Sequence, residues 1–290
     1  MRTLLRFPLL LLVAAAPALA DEGQTYDLKK IVHDKVTAGE SCRESETEKS
    51  VQKIVVTAEG NVVDQKDEKK GATFSRTVKI VEASPEGKPT KILFGYESFQ
   101  DEESGEKPDV NGLEVTCTKA GDEWKLEAAG GKAIPPVVEA HIRAGLGKQD
   151  KEGNEEVGKA LLPDKPVAVG ASWDLDPDYL AKQMHMGGST IVKDKSAAKG
   201  TLKAVTQKDG KDWFKVEISI KLVLADVQGQ PMKEPMVMDM KMTMEAPAGG
   251  VYSELQMTMK ATGVMEPQPG AVVTLDIDMS RKQSRTPLGS

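Results

Sequence analysis

Strict alternation of apolar and polar residues over long stretches is what most limits the fold. From Phe214 through Val216, Ile218 and Ile220 to Leu222 every even position is apolar, and the odd positions between them are polar. Val273, Leu275, Ile277 and Met279 alternate with Thr274, Asp276, Asp278 and Ser280, and Leu255, Met257, Met259 and Ala261 with Gln256, Thr258 and Lys260. A period of two puts all the apolar side chains on one side of an extended strand, so these segments read as antiparallel strands with one face on a core. Ten residues of strand span about 33 Å, which suits long, curved sheets.

The N-terminal half carries the same pattern more loosely. Phe74, Val78 and Ile80 mark one strand, Ile92, Phe94 and Tyr96 another, Leu113, Val115 and Cys117 a third, and Trp124 and Leu126 a fourth. Turns are expected at Glu59-Gly60-Asn61, Pro85-Glu86-Gly87 and Gly121-Asp122. The acidic loop from Asp101 to Asn111 reads as a solvated connection.

Helices are expected where the alternation stops. Pro135-Pro136 opens one, with Val138, Ile142 and Leu146 on one face and Glu139 paired with Arg143; Gly145 and Gly147 should fray or end it. A second would have Asn154 as cap and run past Val157 and Leu161 to Pro163, and a third would start at Asp176-Pro177 with Tyr179 to Met184 as its body. The expected fold class is mainly β, with long curved antiparallel sheets in two lobes and a few short helices. The lobes cover 21–133 and 164–284, joined by a helical connector at 134–163 and followed by a tail at 285–290.

Residues 1–20 read as a secretory signal peptide. Arg2 and Arg6 are basic, Leu9 to Ala16 are apolar, and Ala18-Leu19-Ala20 offers a small-residue cleavage site, so cleavage is expected after Ala20. The expected location is the periplasm or the exterior. No later apolar run is long enough to form a spanning helix. The whole chain carries a formal charge of −6, and loss of Arg2 and Arg6 with the leader takes it to −8. That balance argues against nucleic acid and anionic membrane surfaces as partners. Aromatic residues make up 4% of the chain, too few for the girdles of a transmembrane barrel. The core should therefore be aliphatic and methionine-rich. Cys42 and Cys117 are the two cysteines, and in an exported chain an even count points to a disulfide, here worth about 4 kcal/mol in the loop-entropy model.

Catalytic constellations are missing. There are three histidines, His33, His141 and His185, and no nucleophile elbow, zinc helix, phosphate loop or dinucleotide fingerprint. Asp174, Asp176 and Asp178 begin like a calcium loop but lack its glycine and its terminal glutamate. A non-catalytic protein without a cofactor is the expectation. The unusual feature is Met236, Met238, Met240, Met242 and Met244 on one face of one strand, with Met257 and Met259 on a neighbour. Unbranched thioether chains repack around varied apolar shapes, so this face is the candidate site for a hydrophobic small molecule or lipid. Two alternatives stay open: a structural or envelope-interaction protein with a filled core, and a copper-handling protein, since thioethers suit Cu(I) and Met184-His185-Met186 adds ligand types. No particular protein partner is indicated.

Leu162-Pro163 followed by Val167-Ala168-Val169-Gly170-Ala171-Ser172-Trp173 resembles a segment of exported β-rich bacterial proteins of unknown function, which carry a Pro and then Val-Gly-x-Ser-Trp before a C-terminal sheet. The long strands with one apolar face also look like the half-barrels of periplasmic lipoprotein carriers and related lipid-binding proteins. That resemblance implies a curved sheet and an apolar cargo.

Overall fold

The computed structural model describes residues 24–31, 35–150, 160–183, 188–208, 210–227, 229–248 and 254–288. The leader, His33, the proposed cap at Asn154 and the Met184-His185-Met186 group lie outside them. The elements are β1 (Thr25–Tyr26), β2 (Ser41–Ala58), β3 (Asn61–Ala83), β4 (Pro89–Asp101), β5 (Leu113–Ala120), β6 (Glu123–Ala128), α1 (Pro136–Asp150), β7 (Val167–Ala168), β8 (Ser172–Asp174), α2 (Pro177–Gln183), β9 (Ala197–Lys208), β10 (Lys211–Val227), β11 (Gln230–Pro247), β12 (Glu254–Gln268) and β13 (Ala271–Pro287).

The fold is mainly β. Eleven strands form one antiparallel sheet in the order β6-β5-β4-β3-β2-β13-β12-β11-β10-β9-β8, and β1 pairs with β7 in a separate ribbon. Most connections are tight hairpins. Between β2 and β3, Glu59 and Gly60 both take positive φ, 52° and 82°, as a two-residue turn that matches strand twist requires. β2 against β13 instead joins strands from opposite ends of the chain: it pairs Cys42 with Pro287 and Ala58 with Ala271 and so joins the two halves of the chain into one sheet.

Residues directly opposite in an antiparallel pair share a face, so the register tracks one face across the whole sheet. The row Val216, Met244, Leu255, Gln283, Glu46, Phe74, Phe99 runs from β10 to β4. Two cores gather on that face, one toward each end. At the β8–β11 end, Phe214, Val216, Ile218, Ile220, Leu222 and Leu224 pack with Leu28 and Ile31 of a 3-10 turn and with Leu175 and Leu180 of the α2 region. At the β3–β6 end, α1 buries Val138, Ile142 and Leu146 against Phe74, Phe94, Tyr96, Phe99 and Val115. This second core is rich in rings, with Phe74, Phe94, Tyr96, Phe99 and Trp124 together, unlike the aliphatic interior that overall composition implied.

The helix from Pro136 forms with the expected Glu139–Arg143 pair at 2.8 Å. It runs on to Asp150, past the glycines expected to end it. Buried contacts of Ile142 and Leu146 offset the roughly 1 kcal/mol propensity cost of each glycine. α2 starts where expected, and Asp176 Oδ1 accepts the Asp178 N–H at 2.9 Å.

Candidate binding face

The methionines occupy the middle of the shared face. Ile220, Met240, Met259, Met279, Ser50 and Lys70 form one cross-strand row, and Ile218, Met242, Met257, Arg281, Glu48 and Ala72 the next. Along β11 the burial is graded. Met236 and Met238 are buried at 5% and 4% exposure, whereas Met240, Met242 and Met244 are half-buried against the edge of the first core. Met257, Met259, Leu255, Leu275, Ile277 and Met279 on β12 and β13 are half-buried as well. Met236 is seated where Gly263 on β12 leaves room: a Cβ on Gly263 would come within 3.1 Å of the Met236 Cβ. The seven methionines picked out by alternation thus share one face of two neighbouring strands. An open depression of about 990 Å³ elsewhere, bordered by Lys29, Trp173 and Tyr179, involves none of them.

Between the methionine patch and the ring-rich core the face turns ionic. Glu44 is 1% exposed and Glu46 7%. Arg76 Nη2 lies 2.7 Å from Glu44 Oε2, and Arg285 Nη2 lies 2.6 Å from Glu44 Oε1. Gln283 Nε2 donates to both Glu44, at 2.8 Å, and Glu46, at 3.0 Å. Arg281 Nη2 donates to Glu46 at 3.1 Å; its Nε lies 3.0 Å from the other Glu46 oxygen, badly angled for a hydrogen bond. Arg76 also donates to the Tyr96 hydroxyl at 3.0 Å and lies 4.1 Å from the Phe94 ring centroid. Burial raises the Glu44 carboxyl, but Arg76 and Arg285 outweigh it and hold the group down at about 2.

This strip lies on β2, β3 and β13, where the two halves of the chain meet. With Glu48, 3.8 Å from Arg281 Nε, three glutamates face Arg76, Arg281 and Arg285, so the charges balance within the strip. A buried charge is tolerated only when paired, and a register slip of one residue would send Glu44 and Arg285 to opposite faces. The strip therefore fixes the register of the most sequence-distant pairing in the sheet. Sequence reading missed the strip; what marks it there is the alternation of Glu44-Ser45-Glu46-Thr47-Glu48 and of Arg281, Gln283 and Arg285 at every second position.

The expected Cys42–Cys117 disulfide is not formed; both thiols are free. Cys42 lies on β2 and Cys117 on β5, with β3 and β4 between them. At 4.7–4.9 Å per strand the two lie about 14 Å apart across the sheet, beyond the roughly 7 Å limit for a bridge. Burial pushes the Cys117 thiol up to about 12 and raises that of Cys42. His141 sits edge-on to Phe74 and Phe99, with ring centroids 4.8 and 5.4 Å away. Among the described residues no group of three or more His, Cys, Asp or Glu side chains is placed to hold a metal ion. No protein-family model matches the chain, and no curated protein matches it.

Proposed function

We propose that this is an exported, non-catalytic protein that holds a hydrophobic ligand or lipid on its methionine-lined face. One observation carries the reading. Nine apolar residues on β11, β12 and β13 (Met240, Met242, Met244, Leu255, Met257, Met259, Leu275, Ile277 and Met279) are contiguous in register yet each is only half-buried. A closed core would have buried them, as it buries Leu222 and Val216 on the adjacent strand. Covering such a patch gains about 25 cal/mol per Å² of apolar surface, and methionine adapts to cargo of varied shape.

A second reading, a structural protein with a filled core, draws on Met236 and Met238, which are buried with the first core. Native mass spectrometry of the protein isolated from its own host separates the two. A carrier keeps an apolar molecule bound, and replacing Met240 with Trp expels it. Protein of bare mass that also takes up no added apolar fluorophore leaves the structural reading.

A further inference from the structure

The long strand β3 is paired on both sides only in its second half. β2 flanks it from Asn61 to Lys79, while β4 joins it from Ala72 onward. Among the described residues, positions 61–70 have no strand on their outer side. Their backbone edge is open, and Val62 and Val63 are the most exposed large apolar residues among those described, at 61% each. A ten-residue edge with unpaired donors and acceptors is a template for another strand.

We propose that this edge pairs with the same edge of a second copy of the chain, about a two-fold axis through Asp67. Side chains on one face of the segment are Asp64, Lys66, Glu68 and Lys70, since each shares a face with its partner Val56, Ile54, Gln52 or Ser50 on β2. A two-fold axis perpendicular to the sheet sets position 67 opposite itself. It then places Lys66 opposite Glu68 of the other copy and Asp64 opposite Lys70, each twice, giving four opposite-charge pairs on one face. On the other face Asp67 meets its own copy, with Lys69 of the other copy diagonal to it on one side and Gln65 on the other.

Neighbouring registers are penalised. An axis through Lys66 sets Lys66 against itself and Asp64 against Glu68, and one through Glu68 sets Glu68 against itself and Lys66 against Lys70. Charges on an edge ordinarily keep strands apart; here their order admits one self-pairing register and opposes those beside it. Gly71 closes the segment. It has φ of 127°, and its carbonyl accepts the Glu102 N–H at 3.0 Å where the β4 side begins.

The test is sedimentation equilibrium of the purified chain and of two charge variants. One carries Lys66→Glu with Lys70→Glu, making the face all acidic. The other carries Asp64→Lys with Glu68→Lys, making it all basic. All four positions lie on an open edge, and circular dichroism confirms that each variant folds. The unaltered chain should self-associate, more weakly as salt is raised. Each variant alone should associate at least about tenfold more weakly, and mixing the two should restore a one-to-one dimer. An unaltered chain that stays monomeric at all concentrations, variants that dimerise as well as it does, or a mixture that stays monomeric each overturns the proposal.

Discussion

Replacing Glu44 with Gln should remove a specific, pH-dependent share of the stability of the sheet. Glu44 is buried and accepts from Arg76, Arg285 and Gln283, and its carboxyl is held at about 2 against an ordinary 4.5. A carboxylate depressed on folding stabilises above its unfolded value, and that contribution is lost as pH falls toward the folded value. A lowering of this size corresponds to about 3 kcal/mol, present at pH 7 and lost between about pH 5 and pH 2. Glutamine keeps the shape but leaves two arginines facing a neutral group, and breaking a buried pair costs about 3–5 kcal/mol. Urea denaturation followed by circular dichroism, at steps from pH 7 to pH 2.5, measures both proteins. The gap between them should be about 3–5 kcal/mol at pH 7 and close to about 1 kcal/mol at the acid end. A gap that stays constant over the whole range would refute the assignment of the strip as the source of acid sensitivity.

Met240→Ala should cost less than the roughly 2–5 kcal/mol of a filled-core truncation, because the site is half-open, while Leu222→Ala should cost the full amount; chemical denaturation of both compares them. Met240→Phe should be tolerated in stability and should block uptake of an apolar fluorophore, whereas in a closed core it would cost about 1–3 kcal/mol. Cys117 should resist alkylation in the folded protein and react on unfolding, with two thiols counted by a colorimetric thiol assay in denaturant and none paired. Gly200→Ala should destabilise by about 1–3 kcal/mol and shift tryptophan emission, since the new Cβ would overlap the Trp173 ring, whose Nε1 donates to the Leu161 carbonyl at 3.1 Å.

The strands legible in the sequence were those with an apolar inner face. The alternation at 214–222, 255–261 and 273–280 falls inside β10, β12 and β13. β2 gave no such signal, although it is 18 residues long, because its inner positions from 44 to 52 are Glu44, Glu46, Glu48, Ser50 and Gln52, and aliphatic groups enter only at Ile54 and Val56. The first half of β3 was hidden for the same reason, being charged on both faces and open along one edge. Reading periodicity through hydrophobicity misses a strand whose buried side is ionic. Alternating glutamates facing alternating arginines some 240 positions away can be recognised once the pairing of β2 with β13 is known. The disulfide expectation failed because cysteine count and compartment constrain pairing chemistry but not strand order, and strand order keeps these two thiols apart. The methionine face was readable because five alternate residues of one unusual type stand on one strand.

Methyl NMR of protein labelled at the methionine ε-carbons addresses the binding face itself. The methyl signals of Met240, Met242, Met257 and Met259 should shift together when a long-chain fatty acid or monoacyl lipid is titrated in. Those of Met236 and Met238, already packed in the core, should move less. Signals that stay fixed through saturating ligand, or shifts confined to methionines off this face, would contradict the account.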